Sequence, residues 1–189
     1  MSARLQPKYN ETRATQAAAL LIKLEGGAMN YTKLIKLLYL ADREALINRG
    51  RPITFASYAS LDKGPVLSET LNKIKKPGTP RSYWDEHIET CGYLVRVLDD
   101  CPQDELSKSE QEFLQQVFAR YGHLELWNEL IDQVMHDLPE WRNPNGSSLS
   151  IDYEDILRAG GVPEPDIDAI EDELESIRLM DDLIAEFSS

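Results

Sequence analysis

The side chains in this sequence that could bind a metal ion are three histidines, His87, His123 and His136, and two cysteines, Cys91 and Cys101. His87 and Glu89 have the spacing with which zinc deaminases begin their metal motif, but the paired cysteines that must follow are missing. Two separate cysteines are also too few for a disulfide framework or a structural zinc site. We therefore expect no metal site and two free thiols.

Motifs that carry catalytic chemistry are missing as well. The sequence has no His-Glu-x-x-His pair, no phosphate loop of the Walker type and no Gly-x-Ser-x-Gly turn. Catalytic triads are defined by geometry and not by sequence order, so this lowers the odds of an enzyme without excluding one. We expect no catalytic residues and no bound cofactor.

Charge is distributed unevenly along the chain. Residues 1–81 hold 14 Lys or Arg against 6 Asp or Glu, residues 82–150 hold 4 against 14, and residues 151–189 hold 2 against 13. The total of −13 argues against binding to nucleic acid, because phosphates repel a negative protein unless its basic face is well separated. The pattern favours a charged protein partner, or segments of the chain that attract each other.

No segment approaches the roughly 20 apolar residues of a membrane span, and the N-terminus lacks the pattern of a signal peptide. The sequence therefore predicts a cytoplasmic protein without membrane contact.

The first half of the chain predicts two helices, a strand and a third helix. The first helix begins near Asn10 and stops at two glycines, and the second runs from Asn30 to about Asn48, with Gly50 as its terminator. The apolar middle of the second helix is typical of a buried helix. Residues 51–61 predict a short strand, and Pro65 suits the first turn of the next helix.

The second half predicts a hairpin over residues 82–98, a helix over residues 124–138 and a final helix over residues 166–187. Between the hairpin and the first of these helices it predicts another helix, which begins with a capping box of either Ser107 and Glu110 or Ser109 and Glu112. The expected fold class is mainly α (α+β), with a small antiparallel β element of about three strands. We expect a helical domain over residues 1–142, a linker at 143–150 and an acidic helical C-terminal extension over 151–189.

Three segments together resemble one known family. These are KLIKLLYLAD at 33–42, GPV at 64–66, and residues 127–141, in which His136 precedes Pro139 and Trp141. Their order and spacing are similar to the Panacea domain, also called the SocA-like antitoxin family. The resemblance covers roughly residues 12–142 and implies a mostly helical domain with a small β element.

The same resemblance implies a function. Members are antitoxins that bind a toxin protein and prevent its activity, some resemble protease adaptors that deliver the toxin for degradation, and others are phage-associated. We therefore expect a cognate toxin as the partner, neutralised by direct contact. One alternative is a proteolytic adaptor. The other is a DNA-binding regulator, which the net charge of +8 over residues 1–81 suggests.

Candidate partner-binding residues lie in two regions. In the first, Lys36 and Tyr39 share a helix face that could stay partly exposed, and aromatic and basic side chains are favoured at interfaces. Arg43 and Lys63 extend this region. Gly64 and Pro65 are either a turn between strand and helix or a helix N-terminus offered to an acidic group on a partner.

The second region is the final helix, where Ile170, Leu174, Ile177 and Ile184 follow one another at intervals of four, three and seven, which place them on one face. This apolar stripe either packs on its own domain or enters a groove on a partner. A homodimer contact would cover the same stripe.

Overall fold

Most of the chain is helical. A computed structural model describes residues 6–76, 78 and 81–187. In this part of the chain the α-helices are α1 (Glu11–Leu24), α2 (Tyr31–Arg49), α3 (Ser68–Lys75), α4 (Tyr83–His87), α5 (Lys108–Tyr121), α6 (Tyr153–Ala159) and α7 (Glu164–Phe187). A π-helix spans Leu126–Met135. The strands are β1 (Ala28–Asn30), β2 (Tyr58–Leu61), β3 (Gly64–Leu67), β4 (Ile88–Cys91), β5 (Leu94–Val97) and β6 (Leu149–Ile151).

The ends of the helices follow the capping signals of the sequence. The side chains of Asn10 and Asn30 accept backbone hydrogen bonds from the first turns of α1 and α2. Gly50 ends α2 in the left-handed conformation, with φ at 70°. Ser107 and Glu110 form a capping box at the start of α5. The predicted boundaries of these helices are confirmed.

The strands form two antiparallel sheets of three strands each. One has the order β1-β5-β4 and includes the predicted hairpin, which turns at Gly92. The hairpin covers Ile88 to Val97, and the first part of its predicted range of 82–98 forms α4 instead. The other has the order β3-β2-β6 and joins residues that are distant in sequence, since Tyr58 of β2 pairs with Ile151 of β6. The predicted class, mainly α with a small antiparallel β element, is confirmed, with the strands divided between two sheets.

The region around Pro65 differs from the prediction. Gly64 and Pro65 belong to β3 and do not open a helix, which begins only at Ser68. Pro65 pairs with Ser60 of β2 in the hairpin. A proline is tolerated here because β3 is an edge strand, where a missing N–H does not interrupt a ladder on its outer side.

The core is built around α2. Its apolar side chains are buried on nearly every side, and it packs against α1, α5, α6, β3 and the π-helix. The predicted central position of this helix is confirmed. Three polar side chains of α2, Lys36, Tyr39 and Asp42, lie inside the same core and bind residues from other elements.

Candidate partner-binding site

Lys36 lies in the protein interior. Its side chain is 1 % exposed, and its Nζ donates hydrogen bonds to the carbonyl oxygens of Gly64 at 2.9 Å and Pro65 at 2.8 Å. Burial, with a smaller effect of nearby Lys63, lowers the pKa of Lys36 to about 7. The expectation that Lys36 faces a partly exposed surface is therefore wrong. Its contacts join two segments of the sequence motif inside the fold.

Tyr39 is buried as well. Its hydroxyl donates a hydrogen bond of 2.9 Å to Oε1 of Glu140, which also accepts one of 2.7 Å from Nε of Arg43. Burial and the Glu140 carboxylate raise the pKa of Tyr39 well above its ordinary value. The expected exposure of Tyr39 is thus also wrong, because its hydroxyl is held by a carboxylate 101 residues away in sequence. Arg43 is partly buried by the same pair.

Asp42 forms a third buried polar centre. Its Oδ1 accepts hydrogen bonds from the backbone N–H groups of Ile53 and Thr54, and its Oδ2 accepts from the hydroxyls of Thr54 and Tyr58. Burial raises the pKa of Asp42 to about 6, although the hydrogen bonds oppose that shift. Sequence reasoning missed this centre. The available signal was an acidic residue directly after the apolar segment of α2.

The tip of the β2–β3 hairpin is held by the segment that the resemblance singled out. Trp141 donates its indole N–H to the carbonyl oxygen of Leu61 at 3.0 Å. Nε2 of His136 lies 2.9 Å from the carbonyl oxygen of Asp62, and the His136 ring stacks on Trp141 with centroids 4.2 Å apart. His136 and Trp141 therefore position the loop that carries Lys63.

Lys63 is exposed beside the π-helix. Its Nζ lies 4.4 Å from the centre of the Trp127 ring, which is a cation–π distance. Gly64 and Pro65 next to it are buried. The hypothesis that these two residues present a helix N-terminus to a partner is therefore wrong, since their backbone lies in a sheet. Of the three, only Lys63 reaches the surface.

The first part of α7 packs on its own domain. Leu174 is buried, and Ile170 and Ile177 are partly buried against the core. Ile170 lies over Gly50, where an added Cβ would come within 2.9 Å of the isoleucine side chain. Arg51 pairs with Glu173 near the same point. For these three apolar residues, the interpretation that α7 packs on its own domain is therefore the one that applies.

The last part of α7 is held on one side and open on the other. Nζ of Lys8 lies 2.6 Å from Oδ1 of Asp182, and Arg178 donates both to Asp182 at 2.9 Å and to the carbonyl oxygen of Gln6 at 3.3 Å. Ile184 is exposed. Four further apolar side chains in this part are also exposed, namely Leu179, Met180, Leu183 and Phe187.

A surface cleft of about 600 Å³ opens beside Arg43. It is lined by Phe113 and Arg120 of α5 and by Ala159 and Gly160 at the end of α6. Its charged groups are engaged in ion pairs within the protein, Arg120 with Glu44 and Arg43 with Glu140.

Three of the five side chains considered for metal binding, His87, Cys91 and Cys101, have the following surroundings. Nδ1 of His87 lies 2.8 Å from Oδ1 of Asp99, Cys91 is exposed and Cys101 is buried. Within residues 6–76, 78 and 81–187, no group of three or more His, Cys, Asp or Glu is placed to hold a metal ion. In the same residues no helix has the length and apolar character needed to cross a membrane.

The candidate residues of the first region lie in two clusters, and most of these residues are buried. Lys36, Gly64 and Pro65 meet in one buried cluster, and Tyr39 and Arg43 meet at Glu140. The candidate residues of α7 form a separate region, which begins where Ile170 packs over Gly50.

A comparison with family models matches residues 34–142, more than half of the chain, to a family described as antitoxin SocA-like, Panacea domain. The matched range contains Lys36, Gly64, His136 and Trp141, and it ends before β6. Comparisons with the curated proteins and with the solved structures found no match.

Proposed function

The chain belongs to the SocA-like antitoxin family with a Panacea domain, as its three sequence segments predicted, and from this membership we propose that it neutralises a cognate toxin protein by direct contact. The match over residues 34–142 carries the proposal. The protein acts here as a binding module without catalytic chemistry of its own.

The placement of the motif residues supports a scaffold role for the matched domain. Three motif side chains form their hydrogen bonds inside the fold. Lys36 binds the β2–β3 hairpin, and Tyr39 binds Glu140. Asp42 binds the segment before β2 and the Tyr58 hydroxyl in β2. Buried polar groups that are fully paired fix one arrangement of the elements around them. A rigid scaffold can present other, exposed residues to a partner with little loss of conformational entropy on binding.

The charge distribution supports a partner with a basic binding surface. Residues 82–150 hold 4 Lys or Arg against 14 Asp or Glu, and residues 151–189 hold 2 against 13. Opposite charges on two proteins accelerate their encounter and favour the correct pairing. Association with the toxin is therefore expected to weaken as salt rises.

The test is co-expression with the product of the adjacent gene. That product alone should arrest growth, and the unaltered chain should restore it and bind the purified product in calorimetry. The proposal is wrong if growth is not restored and the two purified proteins do not bind.

The abundance of the toxin in the rescued cells separates direct neutralisation from the adaptor alternative. A toxin that stays at its original level while growth resumes supports neutralisation by contact. A toxin that disappears, and reappears when cellular proteases are inhibited, would mean that this chain delivers it for degradation.

A further inference from the structure

The distal part of α7 exposes a contiguous apolar face. Leu179 is 51 % exposed, Met180 61 %, Leu183 51 % and Phe187 90 %. Residues three or four apart are neighbours on a helix, so Leu179 adjoins Leu183, and Met180, Leu183 and Phe187 follow one another. The four side chains therefore form one stripe, which we call the distal α7 face.

This face is not the one that anchors the helix. Ile167 and Leu174 are buried against the domain at the start of α7, and Lys8 and Gln6 hold Asp182 and Arg178 further along. The domain thus fixes the helix while the distal face points to solvent. Large exposed apolar side chains gathered in one patch mark an interaction surface more often than scattered ones do.

Acidic residues border the distal α7 face. Glu175 is four residues before Leu179, and Glu186 is three residues after Leu183, so both lie along the same ridge. In the part of the chain that the structure describes, neither glutamate forms an ion pair. Over Glu164–Phe187 the helix carries ten Asp or Glu and one Arg. Two such helices would repel each other, which disfavours a second copy of this chain as the occupant.

We propose that the distal α7 face, formed by Leu179, Met180, Leu183 and Phe187, docks into an apolar groove on the toxin whose rim carries Lys or Arg side chains. Apolar anchors at helical spacing enter such grooves, and the acidic border meets the basic rim. The proposal rests on the proposed function and assigns its contact surface to a helix outside the family match at 34–142.

A second exposed apolar pair provides a matched control. Tyr93 and Leu94 at the turn of the β4–β5 hairpin are 73 % and 52 % exposed, and like Phe187 and Leu183 they are one aromatic residue and one leucine. The test compares the double variants Leu183→Ala/Phe187→Ala and Tyr93→Ala/Leu94→Ala in the full chain. Alanine favours a helix, so α7 is expected to persist in the first variant.

The experiment measures binding of each variant to the adjacent gene's product by calorimetry, after thermal unfolding has shown that both variants are folded. The α7 variant should lose at least about 30-fold in affinity, as expected for two anchors at the centre of an interface. The hairpin variant should bind as the unaltered chain does. A further variant, Glu175→Gln/Glu186→Gln, should bind more weakly and with a shallower salt dependence.

Three results would overturn the proposal, and they have different meanings. If the unaltered chain binds and the α7 variant binds equally well, the toxin contacts another surface and the proposed function stands. If the unaltered chain neither binds nor restores growth, the proposed function fails together with this inference. If the unaltered chain is a dimer by sedimentation and the α7 variant is a monomer, a second copy occupies the face.

Discussion

Nζ of Lys36 lies 2.9 Å from the carbonyl oxygen of Gly64, a contact that joins residues 28 positions apart and lies wholly inside the protein. A second bond of 2.8 Å reaches the carbonyl oxygen of Pro65. An uncharged amine has two N–H groups, and these two carbonyls use both of them. Two carbonyl acceptors fit the neutral amine and the ammonium form alike, and the pKa of about 7 that burial gives Lys36 makes the neutral form dominant above about pH 7.

Because of Lys36, stability should depend on pH above neutrality. Burial lowers the Lys36 pKa from 10.5 in the unfolded chain to about 7 in the folded one. Between about pH 7 and pH 9 the unfolded chain therefore holds more protons, so the free energy of unfolding rises with pH by up to about 1.4 kcal/mol per unit. This stability is present above the unfolded pKa and is lost as pH falls toward the folded one.

Urea unfolding of the unaltered chain and of Lys36→Met over that pH range measures the effect. Methionine has nearly the same volume but does not titrate, so the variant should lack this part of the slope. Equal slopes for the two proteins would contradict a Lys36 that is neutral in the folded state.

Gly64 is expected to be far less replaceable than another glycine of similar backbone conformation. Its φ is +90°, and an added Cβ would lie 2.7 Å from Cβ of Met135 in the π-helix. Gly92 has φ +62° with nothing within 4 Å of an added Cβ. Gly92→Ala should cost about 1 kcal/mol for the left-handed conformation, and Gly64→Ala roughly 2–4 kcal/mol because the clash is added. Chemical denaturation measures both, and similar losses would contradict the close approach of β3 to the π-helix.

Removal of the Asp42 carboxylate should be strongly destabilising. Asp42→Ala leaves the buried N–H groups of Ile53 and Thr54 and the hydroxyl of Tyr58 without their acceptor, at a total cost of about 3 kcal/mol or more. Asp42→Asn keeps one acceptor oxygen and should lose less. Equal losses in denaturation experiments at neutral pH would show that these hydrogen bonds do not carry the stability of this centre.

The local parts of the fold could be predicted from the sequence because their causes are local. Asn10, Asn30 and Gly50 act within one turn of the helix that each bounds, and the hairpin at Gly92 joins strands that are neighbours in sequence. The resemblance that named the family also depended on short segments. Each of these signals could be found without knowing what packs against it.

Long-range contacts determined what the sequence left open. Lys36 and Tyr39 were predicted to lie at a surface from their residue types and helical spacing. Their burial could not be predicted, because their partners, two backbone carbonyls and Glu140, are distant in sequence. Pro65 resembled the first residue of a helix, and only its pairing with Ser60 makes it part of an edge strand. The apolar stripe of α7 divides into a packed and an exposed face, which depends on where the domain surface ends.

The predicted boundary at residues 143–150 can be tested with two shortened chains. A chain ending after Ser148 loses Ile151, Tyr153, Ile156 and Leu157, which are all buried. It also loses the pairing of β6 with β2 and the 3.0 Å hydrogen bond from the Tyr153 hydroxyl to the carbonyl oxygen of Ala56.

Each of those four side chains contributes about 1.5–3 kcal/mol when buried, and a domain of ordinary stability has only about 5–15 kcal/mol in total. The chain ending after Ser148 should therefore lack a cooperative thermal transition in circular dichroism. A chain ending after Arg178 keeps all of these contacts and loses mainly the distal α7 face, so its melting temperature should stay within a few degrees of the full chain. If the shorter chain melted cooperatively near that temperature, residues 1–148 would be an independent domain and β6 and α6 an accessory to it.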